Sequence, residues 1–125
     1  MALNARDLPA MKRFYVDLLG FTVEWEPDPD NVYLTSGRDN LALHRAKAAP
    51  GQAAGPRPDQ ALDHLGLVVP QQDDVDRWAE FLEASGVTLT ARPKTHRDGA
   101  RSCYVRDPDG NAVQIIHHPP ISGKM

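Results

Sequence analysis

The sequence predicts an α+β fold in which two βαβββ modules form curled mixed sheets around a cavity. The order strand, helix, strand, strand, strand occurs twice in 125 residues, and each helix carries one apolar stripe. The two copies also align: residues 19–23 match 85–89 at an offset of 66, and residues 2–5 match 66–69 at an offset of 64. A repeat of this length indicates two copies of one supersecondary unit. The alternative is an ordinary α+β sandwich with coincidental symmetry.

The first module, residues 1–47, begins with a strand over residues 2–5, after which Asp7 can cap a helix. Apolar residues then recur at the i, i+3, i+4, i+7 and i+8 positions of one helix face: Met11, Phe14, Tyr15, Leu18 and Leu19. Gly20 follows as a helix stop. Alternating polarity and turn residues predict three further strands, over residues 21–26, 32–35 and 40–45.

Residues 48–60 are predicted to be a linker, because they combine prolines, glycines and alanines without periodicity. The second module, residues 61–119, starts with a strand over 63–69. Its helix has the same apolar spacing at Val75, Trp78, Ala79 and Leu82, which places Trp78 in the core. Gly86 ends this helix, and strands are predicted over 87–90, 101–106 and 111–117 before a tail at 120–125.

The last two strands flank a tight turn at residues 107–110, Asp-Pro-Asp-Gly. Asp107 can bond the backbone beyond the turn, and Gly110 tolerates the positive φ needed on leaving it. Beyond the turn, Ala112, Gln114 and Ile116 share one face of the final strand, because side chains alternate with period two. Gln114 is the unusual member of that face, an amide among apolar residues.

Composition narrows the classes of function. Hydrophobic residues make up 41% of the chain and charged residues 25%, as in an ordinary soluble domain. A net charge of −3 gives no basic footprint for nucleic acid. No apolar run approaches a membrane span or a signal peptide. Cys103 is the single cysteine, so a disulfide within the chain is excluded. We therefore expect a cytoplasmic protein without a nucleic-acid or membrane partner.

Four motifs resemble those of a known family: Arg6-Asp7-Leu8, Phe14-Tyr15 with residues 18–21, residues 63–67 (Asp-His-Leu-Gly-Leu) and residues 106–111 (Arg-Asp-Pro-Asp-Gly-Asn). With these motifs on paired βαβββ units, the chain resembles the vicinal oxygen chelate superfamily, that is, the glyoxalase, bleomycin resistance protein and extradiol dioxygenase family. The resemblance covers nearly the whole chain. It implies the fold of that family, and one such scaffold hosts many chemistries.

In enzymes of that superfamily, up to four side chains on the first and last strands of each module hold a divalent metal. His64 matches one such position, and Gln114 stands where these enzymes usually carry Glu. In the first module the last-strand position is Ala42, and His44, two residues further on the same face, could substitute for it. The remaining position falls one residue before Met1 in this numbering. The implied metal set is therefore His64 and Gln114.

These departures favour a binding protein with a degenerate metal site, which holds a small organic ligand in its cavity. No Asp or Glu lies on either closing strand, and a neutral amide is a poor proton acceptor. The alternative is a lyase, isomerase or dioxygenase that uses Fe, Mn, Ni, Co or Zn with an altered ligand set of His64, Gln114 and His44 or water. A third possibility is a regulatory dimer. A homodimer is the expected assembly, with the cavity inside one chain or between two.

The candidate ligand-binding residues are polar or aromatic side chains on the strands of the two modules: His64, Gln114, His44, Tyr33, Tyr104 and Trp25. Each has an ordinary structural alternative, such as core packing for the tyrosines or a backbone-bonded histidine. Arg101 and Arg106 could clamp an anion or be solvated. Cys103 is interpreted as structural, and His117-His118 as a pair at the surface.

Overall fold

The computed structural model describes residues 1–47 and 61–125, which form two four-stranded mixed sheets with helices. The predicted linker, 48–60, lies outside the described residues. The α+β class built from two βαβββ modules is confirmed. By contacts, the described residues divide into one unit of residues 1–47 with Pro108–Gly110 and a second of residues 61–107 with Asn111–Met125.

The first unit contains one sheet and one helical segment. The helix α1 (Leu8–Arg13) continues as a π-helical segment, Phe14–Leu18, in which the Leu19 N–H donates to the Phe14 carbonyl at 3.1 Å. The sheet has the order β1-β4-β3-β2, with β1 parallel to β4 and the other pairs antiparallel. Its strands are β1 (Ala2–Ala5), β2 (Thr22–Asp28), β3 (Asn31–Thr35) and β4 (Leu41–Arg45).

The second unit repeats this arrangement with the order β5-β8-β7-β6, and β5 is parallel to β8. Its strands are β5 (Leu65–Val68), β6 (Leu89–Thr95), β7 (Arg101–Arg106) and β8 (Ala112–His117). Its helices are α2 (Gln72–Ala84) and the short α3 (Pro119–Ser122). None of the helices in the described ranges is long and apolar enough to cross a bilayer.

The predicted helix boundaries are confirmed by their capping geometry. The Asp7 carboxylate accepts a hydrogen bond from the Ala10 N–H at 3.0 Å and so satisfies a free donor of the first turn. Gly20 and Gly86 follow the two helices at φ values of +83° and +87°, the left-handed conformation that glycine adopts at little cost.

The predicted elements differ from the structure in several places. Strand β6 extends to Thr95, well beyond the predicted end at residue 90. Helix α3 lies where a tail at 120–125 was predicted, and the two prolines at its start fit the first turn of a helix. The expectation that Trp78 is a core residue is wrong: it is half-buried and its ring meets the exposed Phe81 ring at 5.7 Å. It lies at the margin of the stripe, whose centre is filled by Val75, Ala79 and Leu82.

Cys103 is fully buried on β7, and its thiol faces the carbonyl of Val75 on α2 at 4.0 Å. Burial raises the pKa of the Cys103 thiol to about 11, because the thiolate would lose its hydration. We therefore expect iodoacetamide at pH 8 to label the native protein at least about a hundredfold more slowly than the urea-unfolded protein. Mass spectrometry of timed samples measures both rates. Rapid labelling of the native chain would contradict the packing of β7 on α2.

The turn after β7 has the geometry predicted for it. The Asp107 carboxylate accepts hydrogen bonds from the backbone and side-chain N–H groups of Asn111, both at 2.9 Å, and Gly110 has a φ of +90°. The central residues of this turn belong to the first unit, where the fully buried Asp109 carboxylate accepts from Arg6 Nε at 2.7 Å. The buried pair joins residues 103 positions apart.

Candidate functional site

Each sheet has one face packed in the core and one open face. On β7 and β8 the buried residues are Cys103, Val105, Val113 and Ile115, and the residues between them, Tyr104 and Gln114, are half-buried. The alternation follows from the period of two along a strand. We call the side that carries Tyr104 and Gln114 the open face of the second sheet.

Three side chains meet at this open face and form what we call the His64–Tyr104–Gln114 cluster. Tyr104 and Gln114 are cross-strand partners, and the Gln114 amide donates to the Tyr104 hydroxyl at 2.9 Å. The His64 ring meets the Tyr104 ring edge-on with centroids 5.7 Å apart. His64 lies immediately before β5 rather than within the predicted strand. The cluster therefore presents an amide, a phenol and an imidazole side by side.

Gly66 leaves the space in which the Gln114 amide lies. The two residues are partners between β5 and β8, and a β-carbon at position 66 would come within 3.2 Å of Gln114 Oε1. A larger residue would therefore require the end of the Gln114 side chain to shift by a few tenths of an ångström. With its Nε2 donating to Tyr104, the amide retains Oε1 as an acceptor, while the Tyr104 hydroxyl retains a hydrogen to donate.

His64 has a carboxylate partner in Asp63, whose own side chain is 95% exposed. The Asp63 carboxylate lies 2.7 Å from His64 Nδ1 and can only accept when ionised, so Nδ1 carries the hydrogen. The lone pair of neutral His64 is then on Nε2, where it can accept a hydrogen bond or bind a cation. The motif at residues 63–67 was noticed in the sequence, but the orienting role of Asp63 and the space left by Gly66 were not.

The open face of the first sheet is more aromatic. The Trp25 and Tyr33 rings stack with centroids 5.1 Å apart at 26°, and the Tyr33 ring meets the His44 ring edge-on at 5.8 Å. His44 Nδ1 lies 2.7 Å from Asn31 Oδ1, while the Asn31 amide nitrogen donates to Asp28. Since Oδ1 accepts, His44 carries its hydrogen on Nδ1, as His64 does. Asn31 was missed by the sequence analysis, which had no signal for its role.

The strand registers identify equivalent positions in the two modules. Tyr33 pairs with Ala42 as Tyr104 pairs with Gln114. The assignment of Ala42 as the counterpart of Gln114 is therefore confirmed, and the two open faces differ in chemistry at that position.

The family model described as the Glyoxalase/Bleomycin resistance protein/Dioxygenase superfamily matches residues 1–115 of the chain. The chain belongs to this superfamily. Its two βαβββ modules and their strand order agree with that assignment.

Similar proteins within the glyoxalase superfamily have diverse names. Biphenyl-2,3-diol 1,2-dioxygenase 3 of Rhodococcus globerulus is 29% identical over 119 residues, which make up 90% of this chain but 58% of that enzyme. Virulence protein STM3117 of Salmonella typhimurium is 29% identical over 123 residues, 94% of this chain and 81% of that protein. The crystal structure of lactoylglutathione lyase from Agrobacterium tumefaciens has a TM-score of 0.75 at 26% identity and covers 94% of this chain and 90% of that one.

The glyoxalase superfamily implies a divalent metal. Within residues 1–47 and 61–125, no three His, Cys, Asp or Glu side chains lie together in a group that could hold a metal ion. Near His64 the only carboxylate with a described contact is that of Asp63, which is bound to Nδ1. Gln114 adds a neutral oxygen, which leaves the charge of a divalent cation uncompensated. These residues do not fit a metal held by protein side chains alone.

Arg101 is engaged elsewhere. Its guanidinium binds the Asp76 carboxylate on α2 through two hydrogen bonds of 2.7 and 2.8 Å and holds the pKa of Asp76 below its usual value. Arg101, suggested as an anion clamp, therefore already has a structural partner.

His117 and His118 are half-buried rather than surface residues, so the expected surface pair is wrong. Their strand end is covered by α3, whose Ser122 accepts from the His118 N–H at 3.0 Å.

Proposed function

We propose that this glyoxalase-superfamily protein binds a small organic ligand on the open faces of its sheets. The observation that carries the proposal is the His64–Tyr104–Gln114 cluster, in which an acceptor and a donor remain without partners among the described residues. Both side chains are only half-buried, so water completes their bonds in the free protein, and a ligand that displaces this water has to offer the same bonds. A ligand with an adjacent donor and acceptor would complete both.

The first sheet supplies further candidate contacts. Trp25, Tyr33 and His44 form a continuous aromatic row on its open face, and the free Nε2 of His44 can accept a hydrogen bond. Half-exposed aromatic rings beside a small number of fixed polar groups are typical of ligand sites. We propose these three residues as contacts to a ligand on the first sheet. The proposal also places the protein in the cytoplasm as a homodimer without a nucleic-acid partner, and the net charge of −3 supports the last point.

The proposal is tested by titrating ¹⁵N-labelled protein with a library of neutral polar fragments and following amide shifts by NMR. We expect shifts at residues 64–67, 103–105 and 113–115, and we expect Gln114→Leu to weaken those hits about tenfold, the loss of one good hydrogen bond. Gln72→Leu, the same change at an exposed position of α2, is the matched control and should have no effect. Fragments that bind without shifting these amides, or that bind equally well to Gln114→Leu, would contradict the proposal.

A metal-dependent lyase, isomerase or dioxygenase is the second candidate, with His64 and Gln114 as ligands. One observation favours it: Asp63 holds His64 in the tautomer whose Nε2 can ligate. Elemental analysis and native mass spectrometry of untagged protein distinguish the candidates and also report the subunit number. Stoichiometric divalent metal that survives dialysis and disappears in His64→Ala would favour the second candidate over the first.

A further inference from the structure

The two modules carry different residues at one equivalent position of the open face. Trp25 pairs with Tyr33 in the first sheet, and Ala91 pairs with Tyr104 in the second. Positions 25 and 91 differ by 66, the offset of the internal repeat in this region. Since the second module folds with alanine there, the scaffold does not require an aromatic side chain at this position. The indole of Trp25 therefore calls for a separate explanation.

A β-bulge turns Trp25 toward Tyr33. The pairing of β2 with β3 passes from Val23 opposite Leu34 to Trp25 opposite Tyr33, so Glu24 and Trp25 together oppose one residue. A regular strand would place Trp25 on the same side as Val23, because side chains alternate. Bulges of this kind re-aim side chains and are frequent beside functional sites. The bulge is what brings the indole to the open face.

Trp25 is held in place yet remains accessible. One side of its ring system stacks on Tyr33, while 57% of the residue is exposed. A tryptophan that contributed mainly to the core would be far more buried, as Tyr15 and Phe14 are in the same unit. An exposed indole supported by a second ring is a flat shelf on which another ring can stack.

The residue before Trp25 carries a carboxylate. Glu24, the other residue of the bulge, is exposed, and its side chain has no ion pair or hydrogen bond with the rest of the described chain. Its neighbour Glu26, by contrast, binds Lys12 at 2.7 Å. The face of an indole attracts cations through its quadrupole, and the negative charge of the preceding residue in the bulge adds to that attraction. Both features select positive charge.

We propose that Glu24, Trp25 and Tyr33 form a site for a flat, positively charged ring. This rests on the proposed ligand-binding function and names the class of ligand that the first sheet takes. The second sheet has Thr90 and Ala91 in the equivalent bulge, so it lacks both the ring and the charge.

The probe is N-methylquinolinium, with neutral quinoline at pH 8 as the uncharged analogue of nearly the same shape. In a Trp78→Phe background Trp25 is the single tryptophan, and we expect N-methylquinolinium to quench its fluorescence in a saturable manner. By calorimetry we expect quinoline to bind at least fivefold more weakly. Trp25→Ala should abolish binding. Glu24→Gln should weaken the binding of N-methylquinolinium at least threefold and leave the binding of quinoline unchanged. Glu80→Gln, an exposed change on α2, is the matched control.

Equal binding of the two probes would overturn the proposed ligand class, and so would an unchanged affinity in Glu24→Gln. Quenching that rises linearly without saturation, together with the absence of calorimetric heat, would overturn the site itself. Because Trp25 is exposed, its replacement should leave the circular dichroism spectrum intact, so a loss of binding reports on the site rather than on folding. The readout is confined to Trp25, so its failure is distinguishable from failure of the NMR test at the second sheet.

Discussion

Replacement of Arg6 by alanine is expected to destabilise the native state by about 3–5 kcal/mol, because it removes the guanidinium that binds a buried carboxylate. Asp109 is fully buried, and Arg6 is only 15% exposed at its side chain. Arg6 Nε donates to Asp109 Oδ1 at 2.7 Å, its backbone N–H donates to the same oxygen at 3.2 Å, and Nη2 donates to the Asp109 carbonyl at 2.7 Å. Urea denaturation followed by tryptophan fluorescence measures the loss.

Two further variants separate the buried charge from simple truncation. Arg6→Ala combined with Asp109→Asn should recover part of the lost stability, because the neutral amide costs less to bury than a carboxylate. Arg13→Ala, which removes an exposed arginine at the end of α1, should change the free energy of unfolding by less than about 0.5 kcal/mol. A loss below about 1 kcal/mol in Arg6→Ala would show that the pair behaves as a surface ion pair.

The local features of the fold could be predicted from the sequence because their causes are local. The helix stops at Gly20 and Gly86, the cap at Asp7 and the turn at Asp107–Gly110 each depend on residues within one turn of each other. Strand β7 begins and ends at the predicted residues for the same reason, since a turn fixes its end. The π-helical segment and α3 depend instead on tertiary packing, which a periodic pattern does not contain.

The candidate site was only partly predictable. The turn sets the register of the antiparallel hairpin, with Asp107 opposite Asn111. Tyr104 lies three residues before Asp107 and Gln114 three residues after Asn111, so their contact could have been predicted. The stacking of Trp25 on Tyr33 could not, since the bulge in β2 shifts that register by one. The Arg6–Asp109 pair spans 103 residues, and neither residue type indicates which partner it takes.

Gln114→Glu is expected to raise the affinity of the protein for Ni²⁺ at least tenfold. The substitution places a carboxylate beside the Tyr104 hydroxyl, in the cluster that also contains His64 and in the position where the resemblance to metal-binding family members implies Glu. One negative charge about 4 Å from a divalent cation is worth about 2 kcal/mol even in water, or about thirtyfold in affinity. Part of that gain is offset because the carboxylate no longer donates to Tyr104 and must instead accept from it. Isothermal titration calorimetry at fixed ionic strength measures the change.

The gain should depend on His64, because a single carboxylate does not make a site. Gln114→Glu combined with His64→Ala should therefore return to the affinity of the unaltered protein, and Gln72→Glu, the same change at an exposed position of α2, should have no effect. If the Gln114→Glu variant binds Ni²⁺ no better than the parent, then His64 and position 114 do not converge on one point. In that case the cluster is not a metal site that lost its charge, and the amide belongs to an organic ligand alone. If the gain appears and requires His64, then a carboxylate at position 114 is enough to complete a metal site with His64 on this sheet.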